Sequence, residues 1–245
     1  MEQILLNKKY KILSGSTLKV LALTTMIIDH IAYVLMPCIP IAVFPFLLIG
    51  SHEISIFYIC RLIGRFAFPI YGFLLVEGYI HTHSRKQYGI NLLSFAVISE
   101  IPWNLEHTGS VLLYSSQNVF FTLFLGFLCM YCYDRYKEDS RKLILSLGGL
   151  FLISILLRAD YGSIGMFYIL FIYLLKEHEI ARSFIGTSFF ARPWTVTPAF
   201  AAMLMYNGKR GFIKGKFFKY VFYAAYPLHI LALYIIRVLY LGGYQ

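Results

Sequence analysis

The chain has 245 residues, of which 59% are hydrophobic and 14% charged, with a net charge of +10. An ordinary soluble domain carries about 25% charged residues, so this composition excludes a typical soluble enzyme, a disordered chain and a disulfide-stapled secreted module. The mean hydropathy of +0.67 points to an all-α, polytopic transmembrane bundle, with room for about eight spans at ~20 residues each.

The first apolar run, 18–36, carries Asp29 and His30 and has no small-x-small cleavage site, so it reads as a span and not as a signal peptide. The stretch 37–57 holds Pro37, Pro40, Pro45 and the pair His52-Glu53, and reads as a loop or a re-entrant segment. Runs at 58–80, 88–105 and 116–133 follow, then a short one at 143–157 that ends at Arg158. After 161–175 comes 184–206, which Arg192-Pro193 and Pro198 interrupt, and a final run at 217–240. No repeat, linker or low-complexity segment divides the chain, so 1–245 is expected to be one integral-membrane domain. Cys38, Cys60, Cys129 and Cys132 have no disulfide-framework spacing, and the Cys129/Cys132 pair reads as helix packing.

Seventeen of the 22 Lys and Arg fall in five clusters: Lys8–Lys19, Arg85-Lys86, Arg135–Lys142, Lys176–Arg182 and Lys209–Lys219. The stretches 37–57 and 102–115 have none. The positive-inside rule then places the N-terminus in the cytoplasm and removes any need for a nucleic-acid partner; the partner surface is membrane lipid. One conflict arises. A single crossing at 184–206 would put Lys209, Arg210 and Lys214 outside, whereas a broken, re-entrant 184–206 returns them to the cytoplasmic side.

Ionisable groups at bilayer depth are functional candidates. At ~1.5 Å per residue, His30, Arg61, Arg65, Glu100 and His229 lie about 18–25 Å from the cytoplasmic face, with Asp160, Gln117 and Asn118 near the outer end. A neutral His30 imidazole can accept a proton as a general base, or it can be a packed histidine bonded to a carbonyl. Asp29 is adjacent to His30 and cannot face it from the same helix, so Glu100 or Asp160 suits His30 better, and Asp29 suits an arginine. Arg61 and Arg65, spaced i,i+4, could clamp a phosphate or form ion pairs with Asp29 and Glu100. Glu77 and His81, with His83 beyond, offer too few ligands for a metal, and no metal is expected. The same ionisable set could instead form a proton relay in a transporter.

Several segments carry a resemblance: Ser16–Leu23 with Met26–Ile31, Arg61–Ile70 running on to Leu74–Gly78, Ser99–Trp103, Gln117–Phe121, Asp160–Gly162, Tyr206–Gly211 and Tyr226–His229. In this order and over nearly the whole chain, the sequence resembles the TraX family of bacterial integral membrane proteins. The resemblance implies an acetyltransferase of the cytoplasmic membrane that uses acetyl-CoA. It leaves the acceptor open among a peptide such as a pilin N-terminus, a glycan and a lipid. A looser similarity reaches the acyltransferase-3 superfamily, whose basic residue eleven positions before a histidine is matched by Lys19 and His30. An arginine element of that superfamily is echoed, with altered spacing, by Arg61, Arg65 and Pro69. Together these imply His30 as base, Asp29 or Glu100 as its carboxylate, and Lys19, Arg61, Arg65, Lys209 and Arg210 as candidates for the donor's phosphates. Asp160, Asn118, His229 and Glu77 are the remaining polar site candidates.

Overall fold

The computed structural model describes residues 8–50, 52–112 and 116–242. Polar residues at the ends of the apolar runs set where helices begin. Ser14 caps α1 (Gly15–Val34), its hydroxyl accepting from the Thr17 N–H at 3.2 Å. The proline-rich stretch that follows breaks into a turn, the single-turn α2 (Pro40–Val43) and an antiparallel hairpin of β1 (Leu47–Ile49) and β2 (His52–Ile54). Ser55 caps α3 (Ile56–Gly64), and a break at Arg65-Phe66 separates it from α4 (Ala67–His81). Ser84 caps α5 (Arg85–Thr108), which Gly109 ends in the left-handed conformation at φ 68°. Asn118 caps α6 (Val119–Tyr136) and Asp139 caps α7 (Ser140–Leu157). The chain continues through α8 (Gly162–Leu174), α9 (Glu179–Thr187), α10 (Pro193–Leu204) and α11 (Lys216–Tyr240).

The core is built around α4, with α1, α6, α8 and α10 packed against it. Phe68, Ile70, Phe73, Val76 and Tyr79 of that helix are buried on all sides. Close approach of α6 and α8 depends on Gly126, where a Cβ would run into the Ile169 side chain. By contrast, α7 buries only Leu150 and Ser154. Its Ile144, Leu145, Leu152 and Leu156 are exposed, which is the pattern of a helix whose apolar surface is covered by lipid and not by protein. Cys129 packs between Leu125, Leu150, Met166 and Leu170, and the four cysteines are free.

Four segments are long and apolar enough to cross a membrane by length and composition: Gly15–Cys38, Ile56–His81, Ser140–Leu157 and Lys216–Tyr240. The expected eight spans are therefore not supported. The run at 161–175 yields a 13-residue helix, about 20 Å long against a ~30 Å hydrocarbon core. The run at 184–206 is divided between two short helices, with Pro193 starting the second.

Those two helices form a hairpin that enters and leaves at one end of the bundle. Lys11 pairs with Glu179 at the start of α9. The Leu13 N–H donates to the Met205 carbonyl just after α10, and Asn207 N–H donates back to Leu13, each at 2.9 Å. Gly15 and Ser16 N–H then donate to the Lys209 and Arg210 carbonyls at 2.8 and 2.9 Å. The cluster Lys209–Lys219 thus lies beside the start of α1, as the re-entrant alternative requires.

Ser16 is the pin of this junction. It is buried, donating through Oγ to the Arg210 carbonyl at 2.7 Å and accepting from the Ile213 N–H at 2.8 Å. Ser16→Ala strands the Ile213 N–H and leaves the Arg210 carbonyl with the Ser16 N–H alone, which costs about 1–3 kcal/mol, and is expected to lower the melting temperature measured in detergent. In a background without native cysteines, Lys11→Cys and Lys214→Cys are expected to react with an impermeant thiol reagent from one side of the membrane. Leu112→Cys, at the far end, is expected to react from the other.

Candidate active site

α1 and α11 both start at the junction and run the same way. His30 lies fifteen residues beyond Gly15 and His229 thirteen beyond Lys216, so both sit about 20 Å along their helices. They meet there. His30 Nδ1 lies 2.6 Å from His229 Nε2, and His229 Nδ1 lies 2.7 Å from the Ala225 carbonyl oxygen one turn earlier. The edge of Tyr226 faces the His30 ring at 6.1 Å.

Asp29 points away from this pair and meets Arg61, with Oδ2 and Nη1 2.8 Å apart. The approach depends on Gly64, one turn after Arg61, where a Cβ would overlap the Asp29 carboxylate. The Arg61 guanidinium also lies over the Tyr33 ring, 5.2 Å from its centroid.

A cavity of about 750 Å³ connects this region with the junction. Lys19, Arg210, Lys219, His81 and Glu77 line one end, and Asp29, His30, Asp160 and Tyr161 line the other. Between them the wall is apolar and aromatic, including Phe68, Tyr71, Leu92, Phe120 and Tyr223. Asp160 is brought there by a backbone bridge: its N–H donates to the Gln117 carbonyl at 2.8 Å, and Gln117 N–H donates to the Arg158 carbonyl at 3.2 Å. Thr122 donates to the Asp160 carbonyl, and Asp160 Oδ1 accepts from the Tyr161 N–H at 3.1 Å.

The sequence-derived candidates divide accordingly. His30, Asp29, Asp160, Glu77, Lys19 and Arg210 line the cavity, whereas Glu100, Arg61, Arg65, Lys209, Asn118 and His229 do not. Glu100 is engaged elsewhere, accepting from the side chain of Asn118 and, at 3.1 Å, from its N–H. Asn118 Nδ2 also donates to the Ala96 carbonyl at 2.8 Å, so this pair ties α5 to the start of α6. The imidazole of His30 therefore has a histidine, and not Glu100, as its neighbour. Arg65 sits at the break after α3 and lines a small separate pocket with Arg192 and Tyr161. Arg61 is held by Asp29, and neither arginine lines the main cavity. Glu77 and His81 are 3.7 Å apart at the cavity mouth, and among the described residues no group of three metal-ligating side chains converges. Reasoning from sequence missed Lys219, Tyr226 and Tyr161. The basic run at 209–219 and the Tyr226–His229 segment were the available signals.

The Asp29–Arg61 pair is shielded enough for its loss to be measured, with side chains 23% and 28% exposed. A double-mutant cycle of Asp29→Ala and Arg61→Ala is expected to show coupling. The double mutant should lose less stability than the sum of the singles, by about 0.5–3 kcal/mol, because each single leaves a charge without its partner.

Comparison with known proteins adds to this geometry. A relative from Dichelobacter nodosus named "Probable fimbrial assembly protein FimC, serogroup H1" is 26% identical over 249 residues, covering 89% of this chain and 93% of the relative. No solved structure matches the chain. The TraX protein family matches residues 14–237, from the cap of α1 to the last turns of α11. With every cavity-lining residue inside that match, the chain belongs to the TraX family.

Proposed function

We propose that the protein is a membrane-bound acetyltransferase that takes its acyl group from acetyl-CoA at the basic end of the cavity. The acceptor is an amine or hydroxyl at the inner end. The observation that carries this reading is the cavity itself, which joins a cationic mouth to a histidine. Lys19, Arg210 and Lys219 supply three positive charges where a nucleotide's phosphates would sit. The eleven residues from Lys19 to His30 set the distance inward at about 16 Å. A slender pantetheine arm fits that depth and the apolar wall. On this reading the mouth faces the cytoplasm, which the gathering of the chain's basic clusters at that end supports.

At the inner end His30 takes a proton from the acceptor as the acceptor's nitrogen or oxygen attacks the thioester carbonyl. The carbon–sulfur bond breaks, and the leaving thiolate receives the proton from His30. The products are the acetylated acceptor and the free thiol. Tyr226 lines the wall beside His30, and its hydroxyl donates to no described group. It is available to donate to the carbonyl oxygen as negative charge develops there. Asp160 places a carboxyl at the same end, where it can accept a hydrogen bond from the acceptor's amine, while the charge of Asp29 is balanced by Arg61. The naming of the Dichelobacter relative for fimbrial assembly supports a peptide amine as that acceptor.

The test uses purified full-length protein and isotope-labelled acetyl-CoA. Wild type should bind it and either hydrolyse it slowly or transfer the label to peptide amines. His30→Ala should lose about 10²–10⁴-fold in turnover while retaining binding. Lys19→Ala and Arg210→Ala should raise KM for acetyl-CoA and leave turnover nearly unchanged. If acetyl-CoA neither binds nor raises the melting temperature at saturating concentration, the reading fails.

A further inference from the structure

His229 is outside the cavity, yet it is bonded to the one imidazole that lines the cavity's inner end. Its two ring nitrogens have different neighbours, and this fixes the protons of both rings. A carbonyl oxygen can only accept, so His229 Nδ1, 2.7 Å from the Ala225 oxygen, must carry a hydrogen. A neutral His229 then has a bare Nε2. That nitrogen lies 2.6 Å from His30 Nδ1, so His30 Nδ1 must carry the hydrogen that joins the rings. The remaining nitrogen of His30, Nε2, is left with its lone pair. No described residue engages it, and the ring lines the cavity.

The hydrogen bonds described for these two rings go to no carboxylate. Asp29 is committed to Arg61, Glu100 to Asn118 and the buried Glu106 to His107, while Asp160 accepts from the Tyr161 N–H. The other aromatic neighbour of both rings is the Tyr226 side chain, which meets each edge-on. The chain Ala225 O, His229, His30 therefore runs one way, from a main-chain carbonyl on α11 to a lone pair facing the cavity.

We infer that His229 is a positioning residue which, anchored on the Ala225 carbonyl, holds His30 as the Nδ1–H tautomer and makes Nε2 the atom that accepts the substrate's proton. This rests on the acetyl-transfer reading for its kinetic consequence only, since the tautomer follows from the geometry alone. During the transfer, His30 Nε2 gains the acceptor's proton and later returns it to the departing thiolate. The hydrogen between the rings stays on His30 Nδ1 throughout, and His229 accepts it more strongly while His30 is charged. A histidine in this position acts as a neutral counterpart of the carboxylate that orients a catalytic imidazole elsewhere.

The experiment has two arms. Protein labelled with ¹⁵N in its seven histidines is examined by imidazole NMR in detergent, with His30 and His229 assigned from single variants. Both rings should give the Nδ1–H pattern, and His229→Ala should release His30 to the mixture of tautomers that a free imidazole shows. A His30 found protonated on Nε2 in the wild type overturns the inference, whatever the protein catalyses. In the second arm, acetyl transfer is measured for His229→Ala and His229→Gln. The glutamine amide can donate to Ala225 and accept from His30, so it should keep most of the activity. The alanine variant should lose about 10- to 100-fold in kcat with KM for acetyl-CoA unchanged. Equal loss in both variants, or loss expressed in KM, argues against a positioning role. Nδ1–H tautomers in a protein that transfers no acetyl group would uphold the dyad and sink the acetyltransferase reading.

Discussion

The junction between the start of α1 and residues 205–213 is the constraint from which the rest of the site follows. Its hydrogen bonds are main-chain or Ser16 bonds, so they depend little on the identity of the neighbouring side chains. It closes the α9–α10 hairpin at one end and starts α11 beside α1. Two helices that begin at the same level and run the same way keep equal depths in register at 1.5 Å per residue. His30 and His229 meet because the junction sets that register. The same junction puts Arg210 and Lys219 beside Lys19 at the cavity mouth.

The polar groups inside the bundle obey one economy: a buried charge or polar group needs a partner. Asp29 finds Arg61, Glu100 finds Asn118, and Asp134 accepts from Tyr79 and Tyr173 at 2.9 and 2.6 Å while pairing with Arg85 at 2.7 Å. Each of these joins two or more helices. The buried Glu106 likewise meets His107, and the buried Arg182 lies over the Phe73 ring. At the cavity's inner end, His30 and Asp160 face open space.

Much of this was legible in the sequence. Low charge and long apolar runs gave the helical membrane bundle, and the Ser14, Ser55, Ser84, Asn118 and Asp139 caps lie where the runs begin. The set His30, Asp29, Arg61, Glu100, Asp160 and His229 could be named because each is a polar residue out of place in its run. Partners could not be assigned, since pairing depends on which helices are neighbours. His30 and His229 are 199 residues apart, and no local pattern reports their contact. A carboxylate looked the better partner for an imidazole on chemical grounds, but Glu100 was already held by the residue that caps α6. The i,i+4 spacing of Arg61 and Arg65 left two roles open, and only the fold shows that Asp29 takes Arg61 while Arg65, at the turn after α3, lines a second, small pocket. Span number was overestimated because apolar length was counted without seeing that α8 is short, that 184–206 folds back, and that α5 and α6 do not meet the combination of length and apolar composition that a span needs.

The order of synthesis gives the placement of α11 a further meaning. The helix that supplies Phe218, Phe222, Tyr223 and Tyr226 to the cavity wall, and His229 to the dyad, is made after the other described helices. Until it docks, His30 lies in an unfinished groove, open along one flank, with neither a fixed proton nor a closed path from the cationic mouth. On the proposed mechanism, a partly synthesised chain would hold its histidine in an unproductive state until the last helix seats against the first.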